Sequence, residues 1–317
     1  MGLACAACGP AVELELSTDQ LGEPAAGRGI YSAVRPRAIY LNRSGGVFGP
    51  GPEDSAANTS SVLAFLGRGA TLLPGYRPQV GEWSSVTACV REAFAPFAVS
   101  LVETDPAPAP HLEVVVTSTT AAAVGETPEV GGLAPRTSQP LSGIVFVFGK
   151  QYPFSGLQGQ ARSRRLCAVI LHEAGHALGL PHALSCTSVL HPCLSGFCGG
   201  RPEYRDALLA CGELAAGSYE TVPRPCPDGA SARNEHQRLL GAFGPGAGAG
   251  PSAPWSSPAP TCAGRCGSDA PVPNSTPRCY CDARCVQKQD CCADYGARCV
   301  LASMLRPPPQ LIWRYSC

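Results

Sequence analysis

The chain has 317 residues with 24 basic and 24 acidic side chains, so its formal net charge at neutral pH is zero. Balanced charge argues against nucleic acid or an anionic membrane as the main partner. Eighteen cysteines are far more than a cytosolic protein keeps reduced, which predicts a secreted, extracellular protein with disulfide bonds. No apolar run reaches the roughly 20 residues that a membrane helix needs, so no transmembrane segment is expected.

Residues 1–35 are interpreted as an N-terminal segment, the remnant of a signal or of a propeptide. The stretch from Met1 to Cys8 is too short for a signal peptide and has no basic start, so a signal would begin upstream of it. Ala6-Ala7-Cys8 is also similar to the end of a bacterial lipoprotein signal, which leaves a lipid anchor as an alternative.

Beyond this segment, apolar patterns predict a series of strands and helices. Apolar or β-branched runs between turn residues predict four strands, at 37–41, 98–103, 112–117 and 144–148. Apolar side chains that recur every three or four residues predict helices at 60–66, 80–97, 163–178 and 202–215. Residues 43–57 are predicted to form a loop.

The stretch HEAGHALGLPH, which begins at His172, has the spacing of a metal site. His172 and His176 are four residues apart, so they project from the same face of the predicted helix about one turn from each other. Two imidazoles at that spacing can hold one Zn²⁺ ion. Glu173 lies beside the first histidine, where it is placed to take a proton from water that the metal activates.

The same stretch supplies a third metal ligand. Gly179 lets the backbone leave the helix in a conformation that other residues resist, and the turn brings His182 round to the site. Three neutral histidine ligands leave one position open, which is typical of a catalytic zinc site rather than a structural one. The alternative is that these histidines only pack or face solvent, although four of the six histidines in the chain fall between 172 and 191.

This motif resembles HExxHxxGxxH, the signature of the metzincin clan of zinc endopeptidases. If the glycine-rich stretch 131–135 is counted as a strand, the order of a strand, helix, four strands and the helix that carries the motif is similar to the metzincin catalytic domain. The resemblance implies an α+β domain at 36–240, in which a twisted, mostly parallel sheet packs with the active-site helix. It also implies one catalytic zinc ion on the three histidines, with Glu173 as the general base.

Metzincins carry a Met-turn after the motif, in which the methionine forms a hydrophobic floor under the metal. The chain has the similar stretch Ser188-Val189-Leu190-His191-Pro192, so Leu190 stands where the family has methionine. Leucine has a similar volume and is expected to serve as the Met-turn equivalent. Some members use a tyrosine two residues after the methionine as an extra ligand, and Pro192 predicts that this ligand is missing here.

The glycine-rich stretch 131–135 has two interpretations. Gly and Pro are punctuating residues, so they favour an ordinary loop. In metzincins, however, a similar Gly-Leu-Ala segment is the edge strand over the cleft, where an extended substrate pairs with free backbone groups. The resemblance therefore implies that Gly132, Leu133 and Ala134 bind substrate.

Several cysteines follow His182, where disulfides are expected to cross-link irregular loops under the cleft. Pro225-Cys226-Pro227 is similar to the inhibitory cysteine motif of matrixin propeptides. It lies after the catalytic motif instead of before it, so a disulfide is predicted for Cys226.

The last part of the chain is interpreted as a linker, a small module and a tail. Residues 241–261 consist mainly of Gly, Ala, Pro and Ser with almost no charge, which predicts a spacer. The next 38 residues contain eight cysteines and few aliphatic side chains, so cross-links must hold them together. These cysteines are Cys262, Cys266, Cys279, Cys281, Cys285, Cys291, Cys292 and Cys299. A metal-binding cysteine cluster is the alternative to disulfides.

The adjacent pair Cys291-Cys292, followed by Ala293-Asp294-Tyr295, resembles the somatomedin B domain, as does Cys279-Tyr280-Cys281-Asp282. The resemblance implies such a domain at 262–299, followed by a C-terminal tail at 300–317. Somatomedin B domains in other proteins bind protein partners, so a binding module is implied.

These features together predict a secreted zinc metalloendopeptidase that acts on a protein or peptide substrate. The competing hypothesis is a catalytically inactive, protease-like protein that binds a partner through its somatomedin B-like domain. The intact Glu173 argues against this hypothesis, and Leu190 argues weakly for it.

Overall fold

In a computed structural model of the chain, the described residues are 35–150, 154, 156–193, 201–215, 220–227, 229–246, 267–272, 279–282 and 284–285, with the backbone of 312–316. The predicted N-terminal segment up to residue 34 and most of the predicted linker, somatomedin B-like domain and tail lie outside this part of the chain.

Strands and helices alternate along the described part of the chain. The first half contains β1 (Ala38–Asn42), β2 (Gly45–Pro50), β3 (Thr59–Ser60), α1 (Ser61–Phe65), β4 (Thr71–Pro74), α2 (Glu82–Phe94), β5 (Ser100–Val102), β6 (His111–Thr117), a 3-10 turn (Ala121–Val124), β7 (Val130–Pro135) and β8 (Ile144–Phe148). The second half contains α3 (Gly159–Ala177), β9 (Leu209–Ala210), β10 (Gly212–Leu214), β11 (Thr221–Pro223), β12 (Ala232–Arg233), α4 (Glu235–Phe243) and β13 (Ile312–Ser316).

A six-stranded sheet in the order β13-β7-β8-β6-β1-β5 forms the centre of the fold. Its strands β5, β1, β6 and β8 are parallel, whereas β7 runs antiparallel to β8 and β13 runs antiparallel to β7. Strands β6 and β8 are buried along their whole length, as expected for strands covered on both faces. A mixed α/β architecture with a mostly parallel sheet is therefore confirmed.

Side chains alternate between the two faces of this sheet and build two apolar clusters. On one face Val145 and Val147 pack in a cluster with the helices α2 and α3. On the other face Phe146 and Phe148 pack in a cluster with α1 and the small sheet β3-β2-β4. A disulfide between Cys89 and Cys167 joins α2 to α3, so α3, which carries His172 and His176, is anchored on the first face.

The predicted loop at 43–57 is wrong, because this stretch contains β2. Asn42 begins the turn before the strand, and its Oδ1 accepts hydrogen bonds from the backbone N–H groups of Ser44 and Gly45. Gly45 has a φ of +72°, which glycine adopts without strain. The strand contains three glycines and buries only Phe48 fully, so the apolar alternation that marks a strand is missing.

The predicted helix at 202–215 is also wrong, because the short strands β9 and β10 occupy its second half. Tyr204 is buried and its hydroxyl donates to the carbonyl of Leu171, while Leu208 is 43% exposed. The apolar side chains of this stretch therefore do not share one helical face. A disulfide between Cys211 and Cys226 holds the irregular chain instead.

Among the described residues α4 is the last helix, and it crosses the predicted domain boundary at residue 240. Asn234 caps it, since its Oδ1 accepts from the N–H of Gln237. Beyond the helix, the N–H of Gly246 donates to the carbonyl of Pro96, so ordered structure continues into the predicted linker. Sequence reasoning misses this helix because Gly241 and Gly244 make the sequence around its C-terminus resemble a spacer.

Candidate metal centre

Helix α3 and the turn after it bring the three predicted histidine ligands together. His172 and His176 are fully buried on one face of the helix, with ring centroids 4.5 Å apart. The helix ends at Ala177, and Gly179 follows with a φ of +85°. A Cβ at Gly179 would lie 2.8 Å from the carbonyl carbon of Ser138, so only glycine fits this turn.

The Nε2 atoms of the three histidines converge on one point. The Nε2 atom of His172 lies 2.9 Å from that of His176 and 3.2 Å from that of His182. A tetrahedral zinc ion with Zn–N bonds of about 2.0–2.1 Å holds its ligand nitrogens about 3.3–3.4 Å apart. The buried triad therefore has nearly the spacing of a shared ion, and it could hold one metal.

The Nδ1 atoms of His172 and His176 show which tautomer each ring adopts. His172 Nδ1 lies 2.8 Å from the carbonyl oxygen of Val189, and His176 Nδ1 lies 2.8 Å from that of Leu180. A carbonyl oxygen only accepts, so Nδ1 carries the proton and donates, and Nε2 is the nitrogen turned to the centre. Burial, with neighbouring histidines as a further cause, holds the pKa of both rings well below the ordinary value, which favours the neutral form that binds metal.

The third histidine is oriented by a side chain rather than by a carbonyl. His182 Nδ1 lies 2.7 Å from the Oε2 atom of Glu213, which is on β10 and 24% exposed. A Cβ at Gly212 would lie 2.1 Å from the Leu184 side chain, so glycine there lets β10 approach the turn closely. Glu213 is not predicted from the sequence, because no motif marks it and the apolar pattern around it predicts a helix.

Glu173 lies beside the triad as a buried carboxylate. It is fully buried, and neither carboxylate oxygen has a hydrogen-bond partner among the described residues. Burial raises its pKa well above that of a free carboxyl group. A Cβ at Gly132 would lie 2.4 Å from Glu173 Oε1, so strand β7 runs directly against this side chain. Buried polar groups are normally paired, so an unpaired one of this kind indicates a functional role.

Leu190 lies against helix α3, where the sequence predicts a hydrophobic floor. It is fully buried, and its Cδ2 atom would lie 2.8 Å from a Cβ at Gly175. Ser188 Oγ accepts from the N–H of Leu190 and donates to the carboxylate of Glu235 on α4. Sequence analysis misses Glu235, and only its position next to the N-cap Asn234 gives any signal.

The predicted substrate-binding residues Gly132, Leu133 and Ala134 lie in strand β7 rather than in a loop. Gly132 and Leu133 pair with Val147 and Phe146 of β8. The prediction that β7 is the edge of the sheet is wrong for this chain, because β13 pairs along its other side.

The described cysteines near the site are disulfide-bonded, as predicted. Cys226 is joined to Cys211, and Cys186 and Cys193 are also disulfide-bonded. Of the eight cysteines predicted to cross-link the module, Cys279, Cys281 and Cys285 are described and all are disulfide-bonded. The other five lie outside the described residues.

Comparison with known proteins places one domain on this chain. The somatomedin B domain family matches residues 260–301, which is the predicted segment with two residues added at each end. No curated protein gives a significant match to the chain. No helix among the described residues is both long and apolar enough to cross a bilayer. Somatomedin B domains and disulfides are typical of extracellular proteins, and this domain type indicates interaction with a protein. Residues 260–301 are therefore a somatomedin B domain.

Proposed function

We propose that residues 35–246 form a secreted, zinc-dependent endopeptidase of the metzincin type. The observation that carries this proposal is the unpaired, buried carboxylate of Glu173 beside three histidine Nε2 atoms that converge on one point. Burying a polar group without a hydrogen-bond partner costs free energy, and a purely structural role offers nothing to offset that cost.

The donor set supports zinc as the metal. The triad consists of three imidazole rings, each with its Nδ1 atom against an oxygen acceptor and its Nε2 atom turned to the centre, and such ligands are typical of zinc. Three protein ligands leave one position for water or substrate, as in catalytic zinc sites. When bound there, zinc would polarise the scissile carbonyl and make a bound water more acidic.

The residues around the triad have separate tasks in the proposed reaction. Glu173 takes the proton of the attacking water and delivers it to the leaving amine. Strand β7 holds the substrate backbone extended. The absent side chain of Gly132 lets β7 itself lie against Glu173, so the general base is next to the strand that holds the substrate. Leu190 packs beneath the helix that carries His172 and His176, and so keeps the two ligands in place.

The test combines metal content with proteolysis of an unfolded protein. The purified chain should contain one zinc per molecule, and a chelator should remove both the zinc and the hydrolysis. Glu173→Ala should retain the zinc and lose about 10²–10⁴-fold in rate, because it removes the general base. Glu92→Ala, which changes an exposed glutamate on α2, is the matched control and should leave the rate unchanged. Equal rates for both variants would exclude Glu173 as the base.

A second candidate function is favoured by one observation. Strand β13 lies on β7, in the place where a substrate would pair. A protein whose cleft is permanently filled would act only as a binding protein, through its somatomedin B domain. A variant in which β13 has been displaced distinguishes the two candidates. It should hydrolyse an unfolded protein if the chain is an endopeptidase, and it should not if the chain is only a binding protein.

A further inference from the structure

The segment 312–316 lies along the strand that is proposed to bind substrate. Its strand β13 is antiparallel to β7, with Trp313 opposite Ala134, Arg314 opposite Leu133 and Tyr315 opposite Gly132. These three partners in β7 are the residues that are predicted to hold substrate. The opposite side of β7 pairs with β8, so β13 occupies the side on which an added peptide would pair.

The register brings β13 level with the proposed general base. Tyr315 is opposite Gly132, and Gly132 is the residue whose backbone lies against the carboxylate of Glu173. An extended peptide that extends a sheet by pairing with an exposed strand gains affinity mainly from main-chain hydrogen bonds. The chain's own segment 312–316 uses that same mode of binding. It pairs with the part of β7 that lies beside Glu173, where cleavage would occur.

We propose that segment 312–316 is a substrate-like occupant of the cleft, which inhibits the enzyme until the segment leaves β7. This inference rests on the proposed function, since it takes β7 as the strand that holds substrate. In the described part of the chain β13 pairs with β7 alone. A strand paired on one side can open locally without unfolding the sheet beneath it, so the inhibition is reversible.

The covalent connection sets the strength of the inhibition. A tethered segment competes at an effective concentration of about 1 mM when its linker is short, and at less when the linker is long. A substrate at micromolar concentration must compete with this local excess. We therefore expect displacement of β13 to lower KM about tenfold or more and to leave kcat unchanged, because the free site is the same in both proteins.

Two double variants separate main-chain pairing from side-chain effects. In an antiparallel pair, hydrogen-bonded and non-hydrogen-bonded positions alternate, so one of any two consecutive residues donates its N–H to the neighbouring strand. Arg314→Pro/Tyr315→Pro removes that donor in either case. Arg314→Ala/Tyr315→Ala changes the same side chains but keeps both N–H groups, so it is the matched control. A chain that ends at Leu311 provides a second way to remove the strand.

The binding experiment uses these proteins in a Glu173→Gln background, so that the probe is not consumed. The probe is a fluorescein-labelled synthetic peptide with the sequence of residues 309–316, and anisotropy reports its Kd. We expect the proline variant and the chain ending at Leu311 to bind it at least tenfold more tightly than the parent, and the alanine variant to bind like the parent. Equal affinities in all proteins, or no binding to either protein that lacks β13, would overturn the inference.

Kinetics with Glu173 intact separates this inference from the proposed function. If the peptide affinities differ as expected but none of the proteins hydrolyses an unfolded protein, the occluding strand stands and the endopeptidase proposal fails. If all the proteins hydrolyse it with the same KM, the endopeptidase stands and the occluding strand is excluded.

Discussion

The three histidines of the candidate metal centre are held by two different kinds of structure. His172 and His176 lie on one regular helix, and main-chain carbonyls accept from their Nδ1 atoms. His182 lies beyond the helix, and its Nδ1 atom contacts the carboxylate of Glu213, which is partly exposed. The positions of two histidines therefore follow from local helix geometry, whereas the position of the third depends on contacts that form only when β10 packs beside the turn at His182.

The surroundings of the two kinds of ligand differ in the same way. Helix α3 packs in the main apolar cluster and is tied to α2 by a disulfide. Between His182 and α4 the described residues form only short strands, and this part of the chain is held by the Cys211–Cys226 disulfide and by polar contacts of Glu235. Local opening of this second part would release His182 while the helix and its two histidines stay in place.

The largest effect is expected from Gly179→Ala, which alters the turn that joins the two parts. The left-handed conformation costs a non-glycine residue about 1–2 kcal/mol, and crowding by the backbone of Ser138 adds about 1–3 kcal/mol. Gly67 also has a positive φ, but a Cβ there would meet nothing within 4 Å. Gly67→Ala is thus the control, and denaturant unfolding should show a loss of only about 1–2 kcal/mol for it. Similar losses of unfolding free energy in both variants would contradict the crowding at Gly179.

The second part should also be the source of a pH dependence. Burial raises the pKa of Glu235 from its ordinary value to about 7, against the hydrogen bonds from Ser188 and Arg205 that lower it. The folded state therefore binds this proton more tightly than the unfolded state does. The stabilisation is fully present below pH 4.5 and is lost as pH rises through 7, by up to about 3 kcal/mol. Glu235→Gln should flatten that decline in unfolding free energy, and an unchanged pH profile would contradict the assignment.

A smaller effect is expected from Glu213, because it orients a ligand without binding the metal. Glu213→Ala should weaken zinc binding about 10–100-fold, as is typical when the partner of a metal-bound histidine is lost. Glu213→Gln keeps an oxygen that can accept from His182 Nδ1, so it should recover part of the affinity. Glu203→Ala changes a glutamate whose side chain is 41% exposed and pairs with Arg205, and it is the control. Zinc titration against a competing chelator measures all three, and parent-like affinity in Glu213→Ala would show that His182 is oriented without it.

The smallest effect is expected from Leu190→Met, which exchanges side chains of similar volume beneath α3. It should change the free energy of unfolding by less than about 1.5 kcal/mol and leave zinc affinity nearly unchanged. Leu190→Ala should cost about 2–5 kcal/mol, because it leaves a cavity under Gly175. If the parent does not hydrolyse a peptide and the Leu190→Met variant does, Leu190 marks a catalytic site that has lost its activity.

Sequence reasoning succeeds where local patterns determine structure. The spacing of His172 and His176 on α3 and the glycine at 179 predict the convergence of the ligands, and the apolar run at 144–148 predicts a buried strand. It fails where a contact joins distant parts of the chain. No local pattern places Glu213 against His182, and β13 pairs with residues of β7 that lie about 180 positions earlier.

The most direct test of the proposed enzyme is the rate at which the zinc-loaded Arg314→Pro/Tyr315→Pro variant hydrolyses an unfolded protein, measured with Glu173 intact and with Glu173→Ala. The proposed function predicts hydrolysis that a chelator abolishes, and a fall of about 10²–10⁴-fold on loss of Glu173 while the zinc content stays at one per chain. Hydrolysis that continues at the same rate without Glu173, or no hydrolysis at all by the zinc-loaded chain with β13 displaced, would contradict it.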